Sequence, residues 1–364
     1  MLAFYISGHG YGHASRQIEI INAVARGAPD ARILIRSSVS RLLFERTVNA
    51  RFEIDDRPCD TGVVQIDSLR LDEAETIRRA AAFYETSERR ARNEATLLQS
   101  RGVRFVVSDA PPLACAAAAF AGVPSVVLSN FTWDWIYSGY AEQLGSAPDL
   151  IPAIQRAYRQ ADAAWRLPMH GGFETFDTIV ELPFVARHAR HSREQTRARL
   201  GLPPDRRLAL SSFSVYGADG IRFDRLDTTR DWDIIVTGNE HGMPAAAGVR
   251  VVHEPTLYSS GLRYEDLVAA VDVVVTKPGY GIISECIANG TAIVYTCRGR
   301  FIEYDVLVRE MPRYVRSAFL DQESLFAGRW RAALDAVTDA SPPSQTPPTN
   351  GADVVADMIA QRVS

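Results

Sequence analysis

The sequence predicts an α/β protein of two Rossmann-like, doubly wound domains facing each other across a cleft. Three observations carry this expectation. Short apolar runs alternate with amphipathic stretches, the pattern of parallel strands joined by crossover helices. The pattern runs twice, and a Pro- and Gly-bearing break separates the two runs. At 364 residues the chain is also long enough for two domains.

The elements follow in order. Residues 2–6 are an apolar first strand, followed by the glycine-rich turn Ser7-Gly8-His9-Gly10-Tyr11-Gly12-His13 and a helix over Gln17–Ala25. Further strands are expected at 32–37, 104–108 and 124–128. Asp72 to Ser100 reads as one long charged helical region, and 113–121 as an Ala-rich helix. Regularity fails between Arg166 and Val185, where Pro168, Gly171, Gly172 and Pro183 fall. The first domain is therefore placed at 1–184 and the second at 185–340. The second contains strands at 207–213, 233–237, 249–252, 271–275 and 291–296. Residues 341–351, rich in Pro, Ser and Thr, read as an extended linker. Ala352 to Val363 reads as a short helix with Val354, Val355, Met358 and Ile359 on one face.

Composition narrows the function classes. The chain is 46% hydrophobic and 23% charged, with a net charge of −4. That balance gives no basic footprint, so nucleic acid is not an expected partner. No apolar run is long enough to span a bilayer. The N-terminus carries no basic region or cleavage site of a signal peptide, and a cytoplasmic location is expected. Cys59, Cys115, Cys286 and Cys297 match neither a disulfide framework nor a zinc spacing. Of the 40 basic residues only Lys277 is a lysine, and it sits in a glycine-rich turn.

Five segments are candidates for chemistry. The first turn carries His9, Gly10 and His13; it is neither a P-loop nor a good dinucleotide fingerprint, and it suits a histidine base beside an acceptor. Asp109 closes an apolar strand, where it is either a helix N-cap or a partner fixing the tautomer of His13. Lys277, Gly279, Tyr280, Gly281, Ser284 and Glu285 span a second glycine turn and the helix after it, where backbone amides suit phosphate. Glu285 is there either a ribose ligand or a carboxylate favoured by the helix dipole. Asn130, Trp133 and Asp134 lie in a strand-end loop, where an aromatic ring either stacks on a sugar or packs in the core. Gln65 and Asp67 either bind acceptor hydroxyls or make turn hydrogen bonds.

These segments, in this order, resemble the glycosyltransferase-like N-terminal region of the L-arabinokinase family and its stand-alone bacterial relatives. The carriers are Ser7-Gly8-His9-Gly10-Tyr11-Gly12-His13-Ala14-Ser15-Arg16, Gly62-Val63-Val64-Gln65, Val107-Ser108-Asp109, Ser129-Asn130-Phe131-Thr132-Trp133-Asp134, and Lys277 through Glu285. The likeness runs from residue 1 to about 315 and includes no kinase region, so arabinose phosphorylation does not carry over. More distantly the layout is similar to GT-B glycosyltransferases of the MurG and UDP-sugar classes.

That resemblance implies a metal-independent, inverting transfer with no cofactor beyond a nucleotide-diphosphate sugar, a UDP-sugar in first place, and a small-molecule acceptor. His13 would be the base and Asp109 its partner. Glu285, Gly279 and Gly281 would hold the nucleotide, and Glu303 and Asp305 the donor sugar. A terminal helix would cross back onto the first domain. One departure stands out: Ser211 to Gly217 lacks the glycine pair expected at a diphosphate. Two alternatives remain: a non-catalytic nucleotide-sugar-binding regulator, and a UDP-sugar 2-epimerase or hydrolase on the same fold.

Overall fold

The computed structural model describes residues 1–213, 220–228, 230–238 and 246–363. In chain order the first half holds β1 (Leu2–Ile6), α1 (Tyr11–Gly27), β2 (Arg32–Arg36), α2 (Arg41–Thr47), β3 (Arg51–Asp55), β4 (Val64–Gln65), β5 (Leu71–Asp72), α3 (Glu73–Glu85), α4 (Ser87–Ser100), β6 (Phe105–Asp109) and α5 (Pro112–Ala121). It continues through β7 (Ser125–Phe131), α6 (Trp133–Ser138), α7 (Ala141–Leu144), α8 (Leu150–Tyr158), β8 (Ala163–Gly171) and β9 (Ile179–Glu181). The second half holds α9 (Arg193–Arg199), β10 (Arg207–Ser212), β11 (Trp232–Gly238), β12 (Val249–His253), α10 (Glu254–Ser259), α11 (Tyr264–Ala270), β13 (Val273–Thr276), α12 (Tyr280–Asn289), β14 (Ala292–Tyr295), α13 (Glu303–Glu310), β15 (Ser317–Phe319), α14 (Gln322–Ala327), α15 (Arg331–Asp339) and α16 (Gly351–Val363).

Two parallel sheets result. The first has the order β3-β2-β1-β6-β7-β8-β9, the second β12-β11-β10-β13-β14-β15. Helices cover both faces, so β1, β6 and β13 are buried along their whole length and read as unbroken apolar runs. In each sheet the strand order reverses at one point, between β1 and β6 and between β10 and β13. Ligands of such sheets bind beyond the strand ends at that reversal. Both glycine turns and Asp109 lie at those points.

Several expectations needed correction. α1 starts at Tyr11 rather than Gln17, because Gly10 takes a left-handed φ of 80° and completes the turn early. His13 is thus a first-turn helical residue. The charged stretch 72–100 is two helices broken at Thr86. β3, β4, β5, β8, β9 and β15 were not foreseen. β8 crosses the supposed break because a single proline is tolerated beside a bulge: the β7–β8 register shifts between Ser129 and Phe131.

The terminal helix returns to the first domain. Gly351 N–H bonds the Phe184 carbonyl at 2.9 Å, and Val185 bridges to Asn350. Val355 and Ile359 bury fully in the core that also holds Ile18, Ile21 and Val24 of α1. Each such side chain stabilises by about 1.5–3 kcal/mol. Deleting residues 352–364 is expected to lower the melting temperature by several degrees; a superimposable melting curve would show that the helix contributes nothing.

Candidate active site

The centre of the site is Asp109, fully buried at the end of β6. Its strand pairs with β1 so that Ile6 lies opposite Asp109, and Ser7 N–H bonds the Asp109 carbonyl. Ala110, next in the chain, has a φ of 73°, a costly conformation for a residue with a side chain. It turns the backbone away immediately behind the carboxylate.

α1 then presents His13, Arg16 and Gln17, spaced i, i+3 and i+4, to that carboxylate. His13 Nδ1 lies 2.8 Å from Asp109 Oδ1. Arg16 grips both oxygens, Nε reaching Oδ2 at 2.6 Å and an amino group reaching Oδ1. Gln17 Nε2 donates to Oδ2 at 3.0 Å. Burial opposes the charge on Asp109, but Arg16 and His13 outweigh it and lower its pKa to about 2. The carboxylate is therefore ionised at neutral pH. With Nδ1–H assigned as donor to it, His13 Nε2 keeps its lone pair.

Around this pair the N-terminal domain adds Asn130, whose position coincides with the β7 irregularity. Its Oδ1 accepts from Arg16 at 2.7 Å and its Nδ2 donates to Glu303 Oε1 of α13 at 2.7 Å. The two domains meet here. A Cβ built at Gly281 would lie 3.3 Å from Gly12 Cα, so the first turns of α12 and α1 touch. The ring of Tyr280, first residue of α12, lies 5.2 Å from the Arg16 guanidinium.

His9 occupies an aromatic slot, stacked on Phe301 and edge-on to Trp133. Gly62 packs so close to it that any side chain there would collide with the imidazole. Burial, with Arg298 and His13 nearby, holds its pKa well below the usual histidine range. Lys277 reaches Gln65 Oε1 across the cleft at 3.4 Å. Desolvation and then Arg298 pull its pKa down to about 7.

The predicted residues divide accordingly. His13, Asp109, Asn130 and Glu303 form one connected group. His9, Gly10, Gln65, Lys277, Gly279 and Gly281 surround the cleft, and the Cβ position of Gly279 faces open space. Others are corrected. Trp133 is fully buried, stacked on Tyr137, and spends its indole N–H on Asp60, so no ring face is left for a sugar. Asp134 points away, toward Gln155 and Thr175. Asp67 accepts from the Leu69 and Arg70 amides and the Arg70 guanidinium, which is turn chemistry. Ser284 bonds the Gly281 carbonyl inside its own helix. Tyr280 packs on Phe184, its hydroxyl accepting from Val185 N–H. Asp305 is exposed. Glu285 is not displaced in this way: it is buried and paired with Arg187, which also lies 3.2 Å from Glu265. Of the unusual turn Ser211–Gly217, residues 214–217 lie outside the described residues.

Sequence reading missed Arg16, Gln17, Asp60, Arg187 and Arg298. Arg16 had a signal: it stands one helical turn after His13, once the helix is known to start at Tyr11. Arg187 had none, because its partners lie about a hundred residues away.

No family model matches the chain. An L-arabinokinase of Arabidopsis thaliana is 26% identical over 365 residues, covering 99% of this chain and 34% of that protein. The chain thus spans about a third of the curated relative it matches. Among solved structures, a glycosyltransferase of kitacinnamycin superposes with a TM-score of 0.63 at 17% identity, covering 99% of this chain and 98% of its own. MurG of Acinetobacter baumannii superposes with a TM-score of 0.56 at 12% identity, covering 99% of each chain. The chain has the GT-B fold. Its sequence similarity to L-arabinokinase agrees with the resemblance carried by the five segments. No helix among the described residues is long and apolar enough to cross a membrane.

The low pKa of Lys277 makes a stability prediction. Its folded value lies below the unfolded 10.5, so the folded state disfavours the charged amine. That cost is fully present below about pH 7 and disappears as pH rises toward 10.5. Lys277→Gln is expected to raise stability at pH 6 by on the order of 1–3 kcal/mol relative to its effect near pH 10. Denaturant melts at the two pH values measure this, and a pH-independent difference would contradict it.

Proposed function

We propose that the chain is a metal-independent, inverting glycosyltransferase. It moves a sugar from a nucleotide-diphosphate sugar, a UDP-sugar in first place, to a hydroxyl of a small-molecule acceptor. The carrying observation is the buried His13–Asp109 pair, set at the strand ends where the two domains meet. In this reading His13 Nε2 takes the acceptor proton as the acceptor oxygen bonds the anomeric carbon. The bond from that carbon to the diphosphate breaks, the nucleoside diphosphate leaves, and the configuration inverts. Asp109 orients His13 and neutralises its charge as the proton arrives.

The leaving diphosphate would sit at the first turn of α12, near Gly279 and Gly281, with Lys277 beside it. Free helix amides and a buried cation stabilise such a charge without a metal ion. Glu303 would take donor-sugar hydroxyls, and Glu285 the ribose once Arg187 yields it.

A second reading has an observation in its favour. Glu285 is already held by Arg187, and Arg16 already neutralises Asp109. Both features suit a regulator that binds a nucleotide sugar without turning it over.

His13→Ala decides between them. Loss of a general base typically costs on the order of 10²–10⁴ in rate. Transfer, followed as UDP release from a panel of UDP-sugars and acceptors, should fall by that amount, while calorimetry shows UDP affinity within a few-fold of the parent. Asp109→Asn should lose less. Glu285→Ala should weaken UDP by on the order of 1.5–3 kcal/mol. UDP binding with no turnover by the parent protein selects the regulatory reading, and a fully active His13→Ala removes the base.

A further inference from the structure

We propose that Arg16 is a positioning residue that carries the state of the C-terminal domain to the His13–Asp109 pair. The proposal rests on the reading of that pair as base and partner. Arg16 is buried and belongs to the N-terminal domain, yet its guanidinium is linked to the other domain twice, once through Asn130 of its own domain and once directly by Tyr280. On one side it donates to Asn130 at 2.7 Å, and Asn130 donates onward to Glu303 at 2.7 Å. On the other, the ring of Tyr280 lies 5.2 Å from it. Its remaining donors reach both Asp109 oxygens and Ser129 Oγ, the latter at 3.1 Å, and one amino group also lies 2.9 Å from His13 Nδ1.

The chemistry of each link fixes its direction. Glu303 only accepts, so Asn130 must turn its amino group to it and its carbonyl to Arg16, which only donates. The path from Glu303 through Asn130 and Arg16 to Asp109 is therefore an ordered chain of donors and acceptors. All three of its links are charge-assisted, which makes them short and directional. A planar, bidentate guanidinium transmits orientation, whereas a lysine ammonium in its place would supply charge alone. If Glu303 moves, by opening of the cleft or by engaging a sugar, Asn130 and Arg16 lose their fixed geometry. Asp109 then loses one of the groups that aim it at His13. Pairing would be tightest when the donor domain is closed, when transfer should occur.

The test is a double-mutant cycle read at His13, which needs neither ligand nor turnover. The His13 ring is followed by NMR across pH in the full-length chain. The other titratable groups near it are Asp109, Arg16, His9 and Asp60. Glu303→Gln and Tyr280→Leu lie on the other domain. Each is expected to move the His13 titration midpoint by about half a pH unit or more when Arg16 is present, the size typical of coupled neighbours. In an Arg16→Lys background both should leave it unmoved. Equal shifts in the two backgrounds would overturn the proposal, as would no shift in either. Should Arg16→Lys fail to fold, Asn130→Ala cuts the same path, and Glu303→Gln should then be silent at His13. The base reading is judged separately by turnover of His13→Ala, so failure of one is distinguishable from failure of the other.

Discussion

A carboxylate buried at the end of a parallel strand organises this molecule. Moving an ion of that size out of water costs several kcal/mol, and only well-placed donors offset it. Asp109 obtains them from a single helix. His13, Arg16 and Gln17 face it because α1 begins at Tyr11, and α1 begins there because Gly10 can take a left-handed turn. The strand pairing of β1 with β6 sets the distance. Local conformation, sheet register and electrostatics thus depend on one another: a shift in the helix start would leave the carboxylate without its partners and the imidazole without an orienting group.

Much of this was legible in the sequence, for identifiable reasons. Buried parallel strands show as unbroken apolar runs, so β1, β2, β6, β7, β10 and β13 were found. β3 and β15 were not, because edge strands alternate with polar residues and are short. Glycine-rich turns announced both strand-order reversals, and the nearness of His13 and Asp109 followed from sheet topology. Residue roles were less legible than residue places. Trp133 and Tyr280 looked like ligand contacts but pack in the core, since an aromatic at a strand end has the same sequence signature in either case. Asp67 and Asp134 were ambiguous because a carboxylate serves a turn as readily as a ligand. The pairing of Glu285 with Arg187 depends on tertiary approach, which no local pattern encodes.

The seam between the domains poses an electrostatic question. The chain carries a net charge of −4, yet the cleft gathers positive groups. The first turns of α1 and α12, each the positive end of a helix dipole, touch at Gly12 and Gly281. Lys277 and Arg298 lie beside them, both buried enough that desolvation lowers their pKa. Nearby carboxylates are committed elsewhere: Asp109 to Arg16, Asp67 to Arg70, Glu285 to Arg187, while Glu303 accepts from Asn130.

Such an arrangement is unfavourable for an isolated fold and favourable for a complex. Two helix ends of like sign repel, and burying cations penalises folding where desolvation outweighs the nearby carboxylates, Asp67 for Lys277 and Glu303 for Arg298. An anion placed between them reverses both terms, because the same low dielectric that makes the repulsion costly strengthens attraction to a negative ligand. The neutral state of His9 fits this account: an imidazole beside two cations remains uncharged and does not add a third. A diphosphate would supply the missing negative charge where α12 begins, and departure of that group during transfer would place developing charge against the same donors. The electrostatics of the seam therefore favour an anionic ligand there, independently of the histidine and of whether the chain turns that ligand over or only senses it.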